Sequence, residues 1–299
     1  MIGVEEGEVR TSLGTLPTRL YRSRLSASPS HSGAPAGAPL LLLAPGAGAS
    51  HRHPFMVTVA THLAELGVSV RTFDFHYAAD GRKAPDRMPK LVAAFLAVAL
   101  DTDANHRPRG ALFVGGKSMG SRAACELVCQ LAAAGAPPKV SGVVAFGYPL
   151  VPKGREHERV PREALLARVP GPVLVVQGAR DVFGGADLMP EVVRAIDPGP
   201  QRSASGPVRV GPSGGRSASR PDRSAPGAAR RNVSGSRVVL TLVDHADHGF
   251  EMPKRALAGR TQDDVWRDVA SRAASFIHGI ACEDGRPATQ LSATRPDLV

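Results

Sequence analysis

In Ala111-Leu-Phe-Val-Gly-Gly-Lys-Ser-Met-Gly-Ser121 an apolar run meets two glycines, a lone serine and a further glycine before a helical pattern begins. That succession reads as a strand, a sharp turn and a helix. Gly116-Lys117-Ser118-Met119-Gly120 fits G-x-S-x-G, in which the flanking glycines let neighbouring elements approach while the serine sits on a strained turn with its hydroxyl exposed. Ser118 is therefore the candidate nucleophile. Gly-Lys-Ser also occurs in phosphate-binding loops, but those require a glycine five positions before Gly116 and a loop in between. Here that position is Ala111 and the intervening residues are strand-like, so the phosphate-loop reading fails.

Outward from the elbow, strands and helices alternate. Glu8 to Leu25 suggests a hairpin turning near Leu13 to Pro17, followed by a Ser/Pro/Gly-rich loop from Ser26 to Pro39. Leu40-Leu-Leu-Leu-Ala44 is a continuous apolar run, the signature of a strand buried on both faces of a parallel sheet. It ends in the small-residue loop Pro45-Gly-Ala-Gly-Ala49. Pro54 to Leu66 has helical spacing, Val68 to Phe75 reads as a strand and Pro89 to Thr102 as an apolar helix. Beyond the elbow come a helix over Met119 to Ala134 and strands over Val140 to Phe146, Pro172 to Val176 and Arg237 to Val243. Helices are expected over Leu188 to Ile196 and Asp263 to Ile280. Val151 to Val169 is polar, with a short helix at Arg162 to Ala167, and reads as a small cap. The alternation argues for an α/β protein: a mostly parallel central sheet with helices on both faces and a short cap. Residues 1–197 and 237–282 form one domain, 198–236 a disordered Arg/Gly/Pro/Ser-rich insertion, and 283–299 a C-terminal tail.

Among 299 residues there are only three cysteines, Cys125, Cys129 and Cys282. That count gives no disulfide framework and no zinc-site spacing, so buried thiols in a reduced compartment are expected. The first residues, Met1-Ile-Gly-Val-Glu-Glu-Gly-Glu8, are acidic where a secretory signal carries positive charge. The longest apolar run, Leu91 to Leu100, is about half of the roughly 20 residues a membrane span needs. A soluble, cytoplasmic chain without membrane contact is the expectation. The formal net charge of +10 would suggest a nucleic-acid partner if it covered a folded face. However, residues 198–236 hold seven arginines against the single Asp222, with no aromatic residue among them. Stacking on single strands is therefore unsupported, and nucleic acid is not an expected partner.

Ligands bind parallel sheets at the carboxyl ends of the strands, and Ala47, Ser118, Asp181 and His248 each lie just past such an end. A serine hydroxyl needs a base within hydrogen-bond reach, and the base needs a third group to fix its tautomer. Ser118, Asp181 and His248 supply nucleophile, acid and base in chain order. Asp187, Asp244 and Asp247 compete for the acid and His245 for the base. Asp181 is favoured because it arrives from an independent strand, and His248 because it lies further into its loop, just before Gly249. The backbone N–H groups of Ala47 and Met119 are candidate oxyanion donors. His51, His53, His76 and His157 read as solvated, and Arg82-Lys83 as a solvated basic turn. No cofactor and no metal is called for, and the expected partner is a small-molecule substrate.

Seven blocks occur in one order: Pro45-Gly-Ala-Gly48, Phe73-Asp-Phe75 with Tyr77, Gly81-Arg-Lys-Ala-Pro-Asp86, Gly115-Gly-Lys-Ser-Met-Gly-Ser-Arg122, Gly147-Tyr-Pro-Leu150, Gln177-Gly-Ala-Arg-Asp181 with Phe183-Gly184, and Asp247-His248. In these the chain resembles the α/β-hydrolase superfamily. More narrowly it is similar to a small hydrolase-like family that includes testis-expressed proteins and the catalytic-like domain of a regulatory subunit of a histone acetyltransferase complex. The resemblance implies a Ser-His-Asp site at Ser118, His248 and Asp181, with Ala47 and Met119 as oxyanion donors, and names no substrate. Pro45 stands where the superfamily usually has histidine, His76 where the narrower family often has proline, and the 198–236 connection is longer than usual.

Overall fold

The Leu40–Ala44 run is a strand with every residue buried. Leu40, Leu42 and Ala44 enter one core, Leu41 and Leu43 the other, which is why the sequence shows no polar alternation. The computed structural model describes residues 2–23, 37–106, 110–151, 154, 156–198 and 237–284. In chain order the strands are β1 (Gly3–Thr11), β2 (Gly14–Arg22), β3 (Leu40–Ala44), β4 (Ser69–Phe73), β5 (Leu112–Lys117), β6 (Gly142–Phe146), β7 (Val173–Gly178) and β8 (Val238–Val243). The helices are α1 (Pro54–Glu65), α2 (His76–Ala79), α3 (Met88–Asp101), α4 (Met119–Ala134), α5 (Arg159–Arg168), α6 (Met189–Ile196), α7 (Lys254–Leu257) and α8 (Gln262–Asp284).

One sheet holds all eight strands in the order β1-β2-β4-β3-β5-β6-β7-β8. The six from β4 to β8 run parallel, while β1 and β2 form an antiparallel hairpin against β4. Helices α1 and α8 cover one face, with Phe113, Val144 and Leu174 beneath them. Helices α3 to α6 cover the other, over Val114, Val143 and Val175. The chain leaves β3 for β4 on one side and returns for β5 on the other. The strand order therefore reverses at β3, and the loops that follow β3 and β5 lie where open α/β sheets take ligands.

Several boundaries differ from the sequence reading. The hairpin begins at Gly3 and turns at Ser12-Leu13, closed by the Thr11–Gly14 pair. Its outer strand is exposed along most of its length, so no apolar alternation marks it; cross-strand pairs Glu6–Arg19 and Glu5–Arg22 hold it instead. Such charges also blunt an open sheet edge. The expected cap helix is longer, Arg159–Arg168. It buries Leu165 and Leu166 in the same core as α3 and α4 and serves as the crossover between β6 and β7. Helix α8 continues to Asp284, two residues into the segment assigned to the tail. Most of the Ser26–Pro39 loop, the insertion from 199 onward and the tail from 285 lie outside the described residues. Among the described residues no helix is long and apolar enough to cross a membrane.

The two flanks of the insertion meet. Val238 N–H donates to the Asp197 carboxylate at 2.6 Å, and Arg237 donates to the carbonyls of Ala167 (2.9 Å) and Val169. Connections lengthen at a cost of only about 0.6 kcal/mol per doubling, so a shorter one serves these pinned ends equally well. Replacing residues 199–235 by a short Gly/Ser linker is expected to leave the far-UV circular dichroism and Tm of the protein unchanged. A drop of more than about 4 °C, roughly 1 kcal/mol for a domain of this size, would show that the segment packs on the fold.

Candidate active site

Strand β5 ends at Lys117 and α4 begins at Met119. Ser118 between them has φ 52° and ψ −114°, a backbone conformation that residues with a side chain rarely adopt. Its surroundings hold it there. Its N–H donates to Phe146 O at 2.9 Å, and its carbonyl accepts from the Ser121 N–H at 3.0 Å and the Ser121 hydroxyl at 2.6 Å. A Cβ on Gly116 would lie 2.2 Å from the Gly120 carbonyl carbon, and one on Gly120 would lie 2.5 Å from Ala44 O. The two glycines are thus what lets β5, α4 and β3 close around the serine.

His248 lies in the loop after β8, three strands away from Ser118. Its ring bridges the gap: Nε2 is 2.9 Å from Ser118 Oγ and Nδ1 is 2.7 Å from Asp181 Oδ2. Asp181, just past β7, has a fully buried carboxylate, while the imidazole is 23% exposed. The same Oδ2 accepts from Gln177 Nε2 at 2.7 Å, and Oδ1 accepts from the Phe183 N–H at 2.8 Å. Gln177 and Phe183 both donate to the acid. A carboxylate that only accepts obliges His248 to carry its proton on Nδ1, which leaves the Nε2 lone pair facing the serine hydroxyl. The Phe183 ring meets the imidazole edge-on at 4.6 Å between centroids and restricts its rotation. The rival residues stay outside this chain of bonds. Asp187, Asp244 and His245 are exposed, and Asp247 caps the histidine loop through the N–H groups of Gly249 (2.8 Å) and Glu251 (2.9 Å).

The loop after β3 packs on the elbow, since a Cβ on Gly46 would lie 3.7 Å from Ser118 Cβ. Among the described residues, the N–H groups of Ala47 and Met119 donate to no protein acceptor. The loop is fixed from β4 and α2. Tyr77 Oη lies 3.2 Å from both Gly46 O and Gly48 N, and Asp74 Oδ1 accepts the His51 N–H at 2.6 Å. Among the described residues no cluster of His, Cys, Asp or Glu is arranged to hold a metal ion.

A family described as alpha/beta hydrolase domain has a sequence model that matches residues 37–197, more than half of the chain. This chain belongs to that family. The matched span includes Ala47, Ser118 and Asp181 and ends before His248. Solved structures agree on the fold. An alpha-beta serine hydrolase homologue from Coxiella burnetii is 15% identical over 90% of this chain and 96% of its own, with a TM-score of 0.56. The dienelactone hydrolase of Anabaena variabilis is 17% identical over 93% and 98%, with a TM-score of 0.57. Est1E from Butyrivibrio proteoclasticus, solved with ferulic acid bound, is 13% identical over 91% and 99%, with a TM-score of 0.58.

Some residues of this alpha/beta hydrolase escape a reading of local sequence. His51 and His76 are buried, not solvated. The His51 ring lies 3.1 Å from the Asp74 carboxylate, and His76 Nε2 lies 2.9 Å from Thr11 Oγ1, tying α2 to the hairpin. Both partners are remote in sequence. His53, exposed as expected, accepts the Phe55 N–H and caps α1, while Arg82 pairs at the surface with Asp80 and Asp86. Of the three thiols only Cys125 is fully buried, and Cys282 is exposed because it lies on the last turns of α8. Gly147 and Gly178 are clearance positions: a Cβ there would stand 3.4 Å from His248 Nδ1 and 2.2 Å from Asp247 O.

Lys117 is the most consequential omission. Its ammonium sits between the rings of Phe55 (5.9 Å) and Phe250 (5.6 Å), beside Gly147. Burial pushes its pKa down from 10.5 to about 8, against the opposing pull of the Asp181 and Asp247 carboxylates. Between pH 8 and 10.5 the unfolded chain holds a proton here that the folded chain does not, so this residue's contribution to stability rises with pH across that window. Lys117→Met is therefore expected to raise Tm at pH 7, with the difference from the native protein shrinking as pH approaches 10. Thermal melts of both chains from pH 7 to 10 check this, and a constant difference would contradict it.

Proposed function

We propose that this alpha/beta hydrolase is a serine hydrolase that acts on a small ester, thioester or lactone through an acyl-enzyme on Ser118. The observation that supports this most directly is the single imidazole within hydrogen-bond distance of both a strained serine and a buried carboxylate, each supplied by a different strand end. As Ser118 Oγ attacks the substrate carbonyl, His248 Nε2 takes the hydroxyl proton, and Asp181 stabilises the imidazolium through Nδ1–H. The oxygen of the tetrahedral intermediate gathers negative charge and accepts hydrogen bonds donated by the Ala47 and Met119 N–H groups. Collapse expels the alcohol, thiol or ring oxygen, which receives the proton from His248. Water then repeats the sequence on the acyl-enzyme, releasing the acid and restoring the serine.

The narrower likeness, to the testis-expressed proteins and their scaffold relative, rests on the seven sequence blocks alone. It keeps open a second role as an interaction module with weak catalysis, although no contact in the site favours that role over hydrolysis. A small-molecule substrate, no cofactor and a cytoplasmic location complete the proposal. The 198–236 insertion is assigned no part in the chemistry.

Covalent labelling by a fluorophosphonate probe tests the reading. The native chain is expected to label, and Ser118→Ala and His248→Ala, both folded by circular dichroism, are expected not to. On p-nitrophenyl acetate, Asp181→Asn is expected to lose about 10⁴-fold in kcat, because the amide favours the wrong imidazole tautomer. A folded native chain that neither labels nor turns over ester would reject hydrolysis in favour of the interaction module.

A further inference from the structure

We propose that Tyr77 is a positioning residue for the oxyanion site: its hydroxyl clamps the residues on either side of Ala47 and so sets the direction of the Ala47 N–H. The inference rests on the reading of Ala47 as an oxyanion donor. Such a donor is effective only if it is already aimed before the negative charge develops. The loop that carries it, Pro45-Gly-Ala-Gly-Ala49, has no side chain larger than the proline ring with which to hold itself. Gly48 has φ 71°, a conformation glycine adopts as readily as its mirror image. Ala47 and Gly48 are both exposed, and Pro45 has no N–H with which to anchor the loop's start.

Within the loop the Ala49 N–H donates to Gly46 O at 3.2 Å, and further restraint on both sides of Ala47 comes from the Phe73–Tyr77 segment. The Tyr77 hydroxyl donates its one proton to Gly46 O and accepts the Gly48 N–H, both at 3.2 Å. Its hydrogen-bonding capacity is thereby directed at the two neighbours of Ala47, and its proton is committed to protein, not to substrate. The hydroxyl has little freedom to wander. Tyr77 is completely buried and its ring stacks on Phe75 at 6.3 Å. Burial also raises its pKa, so it remains a donor throughout the range in which esters are assayed. The adjacent Asp74 pins the far end of the same loop at His51. An otherwise unemployed sequence block, Phe73-Asp-Phe75 with Tyr77, thus has a task at the site.

Tyr77→Phe removes the hydroxyl and keeps the ring. On p-nitrophenyl acetate the folded variant is expected to lose about 10- to 100-fold in kcat, part of the 100- to 1,000-fold that loss of a whole donor costs, with KM within about threefold of native. Inhibition by phenylboronic acid, which forms a tetrahedral adduct on serine, is expected to weaken by the same factor as kcat/KM. A purely structural hydroxyl would lower Tm and leave both quantities unchanged per folded molecule, and that result would overturn the proposal. Amide hydrogen exchange in the native protein provides a test that does not need the variant to fold. Gly48 N–H is expected to be protected and Ala47 N–H to exchange freely until phenylboronic acid binds; equal, fast exchange at both would show that no clamp exists in solution. If the native chain lacks esterase activity and fluorophosphonate labelling, the hydrolase reading itself fails. Loss confined to Tyr77→Phe upholds the clamp, and native-like kinetics in that variant reject the clamp alone.

Discussion

An imidazole that starts beyond the last strand of the sheet has to reach a serine on the fourth strand from that edge, and the site depends on that crossing. Neighbouring strands lie about 4.8 Å apart, so the histidine loop must fold back over two strand ends. Those ends are Gly178 on β7 and Gly147 just past β6. A Cβ at Gly178 would overlap the Asp247 carbonyl at 2.2 Å, and one at Gly147 would press on the His248 ring and on Lys117 Nζ. Absence of side-chain volume at two points is therefore as important to the geometry as Ser118, His248 and Asp181 themselves. Gly116 and Gly120 repeat the principle around the serine, where backbone has to approach backbone.

Polar contacts complete what clearance permits. Asp181 is buried, and taking a carboxylate out of water is costly unless donors surround it; Gln177, Phe183 and His248 do so. Those donors also fix its orientation, and through it the orientation of the imidazole. The Phe55–Phe250 stack, with centroids 5.5 Å apart, holds the far side of the histidine loop against α1. Lys117 lies between these two arrangements, its charge opposed by burial and favoured by the Asp181 and Asp247 carboxylates and by the faces of the two rings.

Much of this was legible in the chain because it depends on short-range pattern. The Leu40–Leu43 run announces a doubly covered strand, and the glycines flanking Ser118 announce a strained turn. The residues past four strand ends gather at one edge because parallel topology requires it. What stayed hidden depends on partners distant in sequence. His51 and His76 look like loop histidines until Asp74 and Thr11 are placed beside them. Lys117 looks like a solvated lysine until Phe55 and Phe250 close over it. The outer hairpin strand is nearly invisible because its exposed, charged residues carry no apolar period, and the tail boundary is blurred because α8 continues past its apolar stripe to Asp284.

Asp197 and Val238 are joined where β8 begins, at the amino-terminal pole of the parallel strands, whereas Ser118, Asp181 and His248 lie at the carboxyl-terminal pole. The sheet's thickness of packed strand separates the two. The direction of the strands alone therefore sets the two ends joined by the 199–236 connection at the opposite pole from Ser118, Asp181 and His248.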